Sequence, residues 1–292
     1  MTTASAGRSE LTSRVLVALA GIPVVLAAIY FGDAMLATLL AIMSALGARE
    51  FYNLSRATGA DPLDVLGVPL AALIPIAVHA QILGLVTIPL HTAPLLVLLL
   101  LAASVWMRGV PGKPLLAVGA TLLGAIYTGG TLSYAYALRY FVYAVGDIAG
   151  MLVALLPVVL TWASDTGAYF TGRTLGGPKL VPSISPGKTI SGAIGGVVFT
   201  VIAAYILVHW LLRPYAQLAF SPLGLVTFAV VISVVAQLGD LVESLLKRSA
   251  GVKDSGTLLR GHGGVLDRLD SLFFVLPVAF VLYKVLLIPA PR

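Results

Sequence analysis

Long apolar runs alternate with short polar segments along nearly the whole chain, and the runs set the architecture. Nine of them approach the ~20 residues that a helix needs to cross a ~30 Å hydrocarbon core. They cover approximately Val15–Phe31, Ala34–Ala48, Val65–Leu90, Ala93–Met107, Leu115–Leu138, Ile148–Gly172, Ile190–Leu212, Pro222–Leu246 and Leu269–Ile288. Lipid offers no partner to a free backbone N–H or C=O. The pattern therefore predicts an all-α fold, a polytopic integral membrane helical bundle of about nine transmembrane helices. The second and fourth runs look short for a full crossing. The first follows Arg8 and Arg14 and resembles a signal peptide, but its long apolar stretch and the spans behind it predict an uncleaved anchor. Pro69, Pro75 and Pro157 fall inside spans, where kinks are expected, and the Gly146/Gly150 and Gly192/Gly196 spacings predict close helix contacts.

Composition excludes a soluble core: 59% of the 292 residues are hydrophobic and 10% are charged, against about 25% charged in a soluble domain. The absence of cysteine removes disulfides, thiolate chemistry and cysteine zinc sites. The net charge of +6 does not indicate a nucleic-acid partner, because the basic residues are spread through short loops between spans. With the N-terminus in the cytoplasm and nine crossings, 14 of the 18 Lys and Arg residues lie inside; Arg139, Arg213, Lys284 and Arg292 lie outside. No linker divides the chain. We divide it functionally into 1–140, a hydrophobic transmembrane scaffold, and 141–292, a transmembrane catalytic region with a cytoplasm-facing polar site.

Five of the twelve acids, Asp240, Glu243, Asp254, Asp267 and Asp270, fall in one stretch with Lys247, Arg248, Lys253, Arg260 and Arg268. Ionisable groups at membrane depth are costly unless they pair, face water or hold an ion, so a dense mixed cluster beside apolar helices marks a site. Asp240, Ser244, Lys247 and Arg248 stand at helical offsets of 0, 4, 7 and 8, on one face of the cytoplasmic end of the eighth span. Beyond Gly256, the run His262-Gly263-Gly264 predicts a turn that brings backbone N–H groups near a ligand. Asp267 and Asp270 then start the ninth helix, so two carboxylate-bearing helix ends converge across a glycine-rich hairpin.

A second polar block runs from Ser164-Asp165-Thr166-Gly167 through Arg173 to Ser185-Pro186-Gly187-Lys188-Thr189, joining the sixth and seventh spans on the same side. Its Gly-Lys-Thr ending is not a P-loop, because Pro182 stands where the first glycine is required and no strand is expected before it. What remains is a basic, glycine-rich loop suited to phosphates. Carboxylates, cations and glycines together point to Mg2+ with a nucleoside triphosphate: one or two carboxylates plus phosphates hold the metal, and Lys and Arg neutralise the rest. A phosphomonoester nucleophile is already anionic, so the lack of a nucleophilic triad is no objection.

The stretch from Ser244 through Lys247-Arg248, Lys253-Asp254 and His262-Gly263-Gly264 to Asp267-Arg268-Leu269-Asp270 resembles the signature of the phosphatidate cytidylyltransferases, or CDP-diacylglycerol synthases. Gly239-Asp240-Leu-Val-Glu243 and the block from Asp165 to Thr189 are similar to that family too. The resemblance covers roughly the C-terminal half. It implies Mg2+ ligation by Asp240 and Asp267, with Lys247, Arg248 and Arg268 beside them in catalysis. It also implies substrate contacts from Lys188, Ser244, Lys253, His262, Asp165, Asp254 and Asp270. The implied reaction joins CTP to phosphatidic acid, giving CDP-diacylglycerol and pyrophosphate, in a bacterial cell membrane with the site facing the cytoplasm. A homodimer is implied by analogy alone. Two positions depart from the family pattern: Arg260 replaces the proline before Gly-His-Gly-Gly, and Ser191 stands where Glu or Gln follows the Lys-Thr pair.

Other readings make different demands. A CTP-dependent lipid kinase of the polyprenol type would release CDP and a phosphorylated alcohol. A transporter would carry acids near mid-span rather than at helix ends. A CDP-alcohol phosphotransferase would need an Asp-Gly-x-x-Ala-Arg motif, which is absent.

Overall fold

A computed structural model describes residues 21–256 and 263–290. Arg8, Arg14, Arg260, His262 and Arg292 lie outside the described residues. Among those described, nine helices follow one another. They are α1 (Gly21–Phe31), α2 (Asp33–Ala57), α3 (Asp64–Ile82), α4 (Thr92–Met107), α5 (Pro114–Arg139), α6 (Asp147–Leu175), α7 (Ile190–Ala216), α8 (Pro222–Ser249) and α9 (Leu266–Leu286). Seven are long and apolar enough to cross a membrane; α1 and α4 are shorter.

Three expectations change. The second span is not short: α2 continues to Ala57, with Asp33 in its first turn and Arg56 in its last, each placed to favour the helix dipole. The third stops at Ile82, well before Leu90, because Gly84 at φ 72° turns the chain out of the helix. The polar block between α6 and α7 is not a plain loop. It folds into an antiparallel ribbon, β1 (Lys179–Val181) with β2 (Ser185–Thr189), so a strand does precede the Gly-Lys-Thr helix start. A second ribbon pairs β3 (Leu218–Phe220) with β4 (Leu287–Pro289).

The chain forms two compact units: Met1–Ser133 with Leu246–Leu269, and Tyr134–Leu245 with Asp270–Arg292. The segment that carries Lys247 and Asp267 thus packs with the N-terminal helices.

In the first unit Tyr52 is fully buried, and its hydroxyl donates to the Thr121 carbonyl at 2.8 Å. The ring has room because two helices present glycine to it. A Cβ on Gly67 or on Gly124 would lie 2.3 Å from Tyr52 atoms. Within α5, a π turn at Ile126–Gly130 sets Gly129 against the Ala71 carbonyl of α3, where a Cβ would come within 2.2 Å. Close backbone approach at small residues is how helices gain packing energy where lipid removes the hydrophobic incentive.

The same device builds the second unit. Gly192 and Gly196 of α7 lie against the Ala168 and Ser164 carbonyls of α6, as the small-residue spacing predicts. Gly150 packs on the Arg139 carbonyl, whereas its expected companion Gly146 is the residue that precedes α6. Tyr283, Phe228, Phe220 and Phe141 form an aromatic cluster, and the Tyr283 hydroxyl donates to the Val153 carbonyl at 3.0 Å. Large apolar side chains such as Leu98, Leu99 and Trp106 stay exposed on the protein, the surface expected where lipid is the solvent.

Candidate active site

In the second unit, the α6–ribbon–α7 junction borders a half-open cavity of about 660 Å3. Its wall carries Asp165, Arg173, Lys179, Lys188, Gln237 and Asp240, with glycines 172, 176, 177, 187 and 192 between them. The sequence builds it locally. Thr189 ends β2 and caps α7, its Oγ1 accepting from the Gly192 N–H at 3.1 Å, so one unsatisfied donor of the first turn is met. Ser191, the departure from the family pattern, donates to the Gly176 carbonyl and closes the loop after α6. Gly176 and Gly177 adopt φ of 61° and 104°, conformations that only glycine takes cheaply.

Lys188 extends from β2, and its ammonium meets Asp240 Oδ2 at 2.6 Å. The other Asp240 oxygen accepts from Ser244 Oγ at 3.3 Å, one turn on along α8, as the helical offset predicts. Gly239 lets α9 approach: a Cβ there would lie 2.8 Å from the Asp270 carbonyl. Asp270 Oδ1 in turn accepts from the Ser271 N–H at 2.6 Å. Asp165 lies within electrostatic reach of Asp270, Asp240 and Lys188. Arg173 is braced by Tyr169, to whose hydroxyl it donates at 2.6 Å. Of the residues expected to serve the site, Lys188, Asp240 and Asp165 line this cavity, while Ser244 and Asp270 stand beside Asp240 and Gly239. Lys179 and Gln237 the sequence reading does not find, since neither belongs to a spaced motif.

The first unit holds the other half of the charged stretch. Lys247, at the end of α8, meets Asp267 Oδ1 at 2.7 Å, and both side chains are largely buried, at 14% and 6% exposure. Asp267 Oδ2 accepts from the Ser255 N–H at 3.0 Å, Ser255 Oγ at 2.9 Å and the Gly264 N–H at 2.7 Å. Ser255 and Gly264, on either side of the expected glycine-rich hairpin, thus both donate to Asp267, while residues 257–262 between them lie outside the described residues. Gly263, at φ 79°, needs its missing side chain twice over, because a Cβ would sit 2.5 Å from Asp267 Oδ2. Arg248 donates to the Val252 carbonyl at 3.2 Å, and Lys253, Asp254 and Arg268 are exposed. One residue here escapes the sequence reading altogether: Glu50 of α2, which is buried and accepts from Ser255 Oγ, the Val265 N–H and the Leu266 N–H.

Among the described residues no three His, Asp or Glu side chains come together as a metal cage. Asp240 and Asp267 each hold an ammonium at 2.6–2.7 Å instead. Such oxygen positions suit Mg2+, which takes one or two carboxylates and completes its shell with water and phosphate.

The family model described as the cytidylyltransferase family matches residues 12–286. A phosphatidate cytidylyltransferase of Synechocystis sp. is 31% identical over 300 residues, covering 95% of this chain and 98% of that protein. The phosphatidate cytidylyltransferase of Bacillus subtilis is 43% identical over 165 residues, 56% of this chain and 58% of its own length. That of Brucella suis is 49% identical over 121 residues, 41% of this chain and 42% of its own. Several of these alignments thus span only about half of each relative.

Proposed function

The chain belongs to the cytidylyltransferase family, and we propose that it transfers CMP from CTP to phosphatidic acid at the cytoplasmic face of a cell membrane. The products are CDP-diacylglycerol and pyrophosphate, so the enzyme serves phospholipid biosynthesis. The observation that carries this reading is the cavity at the β1–β2 ribbon, where Lys179, Lys188 and Arg173 face Asp165 and Asp240 among glycines. Three cations match a triphosphate, and glycines let phosphate oxygens approach the backbone.

In the proposed reaction a phosphate oxygen of phosphatidic acid attacks the α-phosphorus of CTP. The bond from that phosphorus to the bridging oxygen of the β-phosphate breaks, and pyrophosphate leaves. The nucleophile is anionic at neutral pH, so no side chain has to remove a proton, and catalysis consists of positioning and charge neutralisation. Lys188 and Arg173 are the proposed triphosphate contacts; Lys247, Arg248, Lys253 and Arg268 are proposed phosphate contacts on the strength of the family resemblance alone. Asp240 and Asp267 are each proposed as an Mg2+ contact, and Mg2+, when bound, would polarise phosphoryl oxygens as a Lewis acid. A homodimer is proposed by family analogy, and cross-linking in native membranes tests it.

Incubating the purified protein with phosphatidic acid, CTP and Mg2+ and identifying both products is the decisive experiment. CDP-diacylglycerol with pyrophosphate supports the assignment; CDP with a phosphorylated alcohol would make the protein a lipid kinase. Lys188→Met is expected to lower kcat/KM for CTP roughly 10- to 100-fold, the weight of one charge-assisted hydrogen bond. Steady-state kinetics on a folded variant checks this, and unchanged constants would leave Lys188 as a topology-setting charge.

Orientation has its own test. The chain has no native cysteine, and Val252 is exposed beside the charged loop. A cysteine placed at Val252 should resist impermeant thiol reagents in intact cells and react after permeabilisation. Labelling from outside would invert the topology.

A further inference from the structure

Glu50 lies about 200 residues before the charged signature, in a helix that is otherwise a membrane span, and it is only 7% exposed. A buried carboxylate without donors is expensive. This one has three: the Val265 N–H on Oε1 at 3.0 Å, and the Leu266 N–H at 2.9 Å and Ser255 Oγ at 3.1 Å on Oε2. All three donors belong to the loop that presents Asp267, and Glu50, the loop and Asp267 lie in one compact unit.

The loop is shaped around this carboxylate. A Cβ on Gly256 would come within 2.6 Å of Glu50 Oε1, and one on Gly264 within 2.3 Å of Oε2. Ser255 joins the two acids, its Oγ lying 3.1 Å from Glu50 and 2.9 Å from Asp267 Oδ2. A hydroxyl has one proton, so it donates to one of them at a time. Backbone donors hold Asp267 Oδ2 from the loop side, while Oδ1 is turned to the Lys247 ammonium. The cation-facing edge of Asp267 is therefore fixed by the loop, and the loop is fixed by Glu50.

We propose that Glu50 is a positioning residue that holds Ser255 and the Val265–Leu266 backbone so that Asp267 can meet a divalent cation; this rests on the reading of Asp267 as a metal contact. Glutamine cannot substitute. Both Glu50 oxygens accept, so either orientation of the amide sets an NH2 group against a backbone N–H.

Mn2+ titration of the purified full-length protein, followed by electron paramagnetic resonance of the free ion, tests this. Glu50→Gln should weaken Mn2+ binding roughly 10- to 100-fold, as loss of an outer-sphere partner does, and Asp267→Asn at least as much. Turnover of Glu50→Gln should recover at saturating Mn2+, whereas a merely structural loss lowers turnover at every Mn2+ concentration. Ser255→Ala, which leaves the backbone donors in place, should weaken binding roughly fivefold, the weight of one hydrogen bond. It decides the matter if Glu50→Gln does not fold. Wild-type Mn2+ affinity in Glu50→Gln, or in Ser255→Ala when only that variant folds, overturns the positioning role, provided Asp267→Asn has lost the ion. Wild-type affinity in Asp267→Asn removes the metal reading itself, and the proposal with it.

Discussion

Asp240→Asn is expected to lower turnover roughly 100- to 1000-fold, the loss typical of a group that stabilises developing charge, in a protein that still inserts and purifies. Asparagine keeps the shape of the side chain and an oxygen for Ser244 Oγ, so the face of α8 is preserved. What disappears is the negative charge 2.6 Å from the Lys188 ammonium. That change has a structural cost too, because Lys188 then keeps its charge without its carboxylate partner. Adding Lys188→Met to Asp240→Asn separates the two effects. The double variant should regain thermal stability and remain inactive, since only the structural part is repaired. Product formation measured across a Mg2+ titration is the readout; near-normal rates at limiting Mg2+ would take Asp240 out of the metal site.

A comparable loss, roughly 100- to 1000-fold, is expected for Asp267→Asn, and the geometry explains why the variant is clean. Three donors converge on Oδ2 and the Lys247 ammonium meets Oδ1. An asparagine with its oxygen at the Oδ2 position keeps the three loop hydrogen bonds, and its NH2 group then faces the ammonium. The loop should hold while the charge is gone. Breaking a buried pair by removing one partner costs about 3 kcal/mol, so the melting temperature should fall measurably. Lys247→Met in the same chain should restore it without restoring turnover. Wild-type turnover in Asp267→Asn, measured under the assay conditions of the first variant, would show that this carboxylate serves only to tie the loop.

The long spans were legible because hydrophobic length is a direct consequence of bilayer thickness, and α5 to α9 begin and end within a few residues of the apolar runs. Where the sequence reading missed, a local signal was overridden. Leu83 to Leu90 are apolar enough to continue a helix, yet Gly84 stops it at Ile82. Ser185-Pro-Gly-Lys-Thr has no alternation of polar and apolar residues, so β2 could not be read from its pattern. It forms because Lys179 and Val181 lie across from it. Motif spacing brought out Lys188, Asp240, Ser244, Lys247 and Asp267, and helical offsets related Asp240 to Ser244. Glu50 belongs to no motif, and its role depends on a contact across more than 200 positions. The available signal was its place just beyond an apolar run and immediately after Arg49, in a stretch that α2 carries on to Ala57, where an unpaired acid would be costly.

The two ribbons have a bearing on the lipid surroundings. A two-stranded ribbon leaves N–H and C=O groups unpaired along its outer edges, and such edges are not left bare to hydrocarbon. One ribbon immediately precedes α7 and the other begins just after it, at Leu218. The 27 residues of α7 between them measure roughly 40 Å at 1.5 Å per residue, close to the bilayer core plus part of its interfaces. The helix is therefore long enough to reach from one interface to the other, with a ribbon adjoining each end. A bilayer of different thickness must tilt α7 or deform around it before the β1–β2 ribbon can leave the interface. The cavity beside that ribbon therefore lies at the end of an apolar span rather than at its middle.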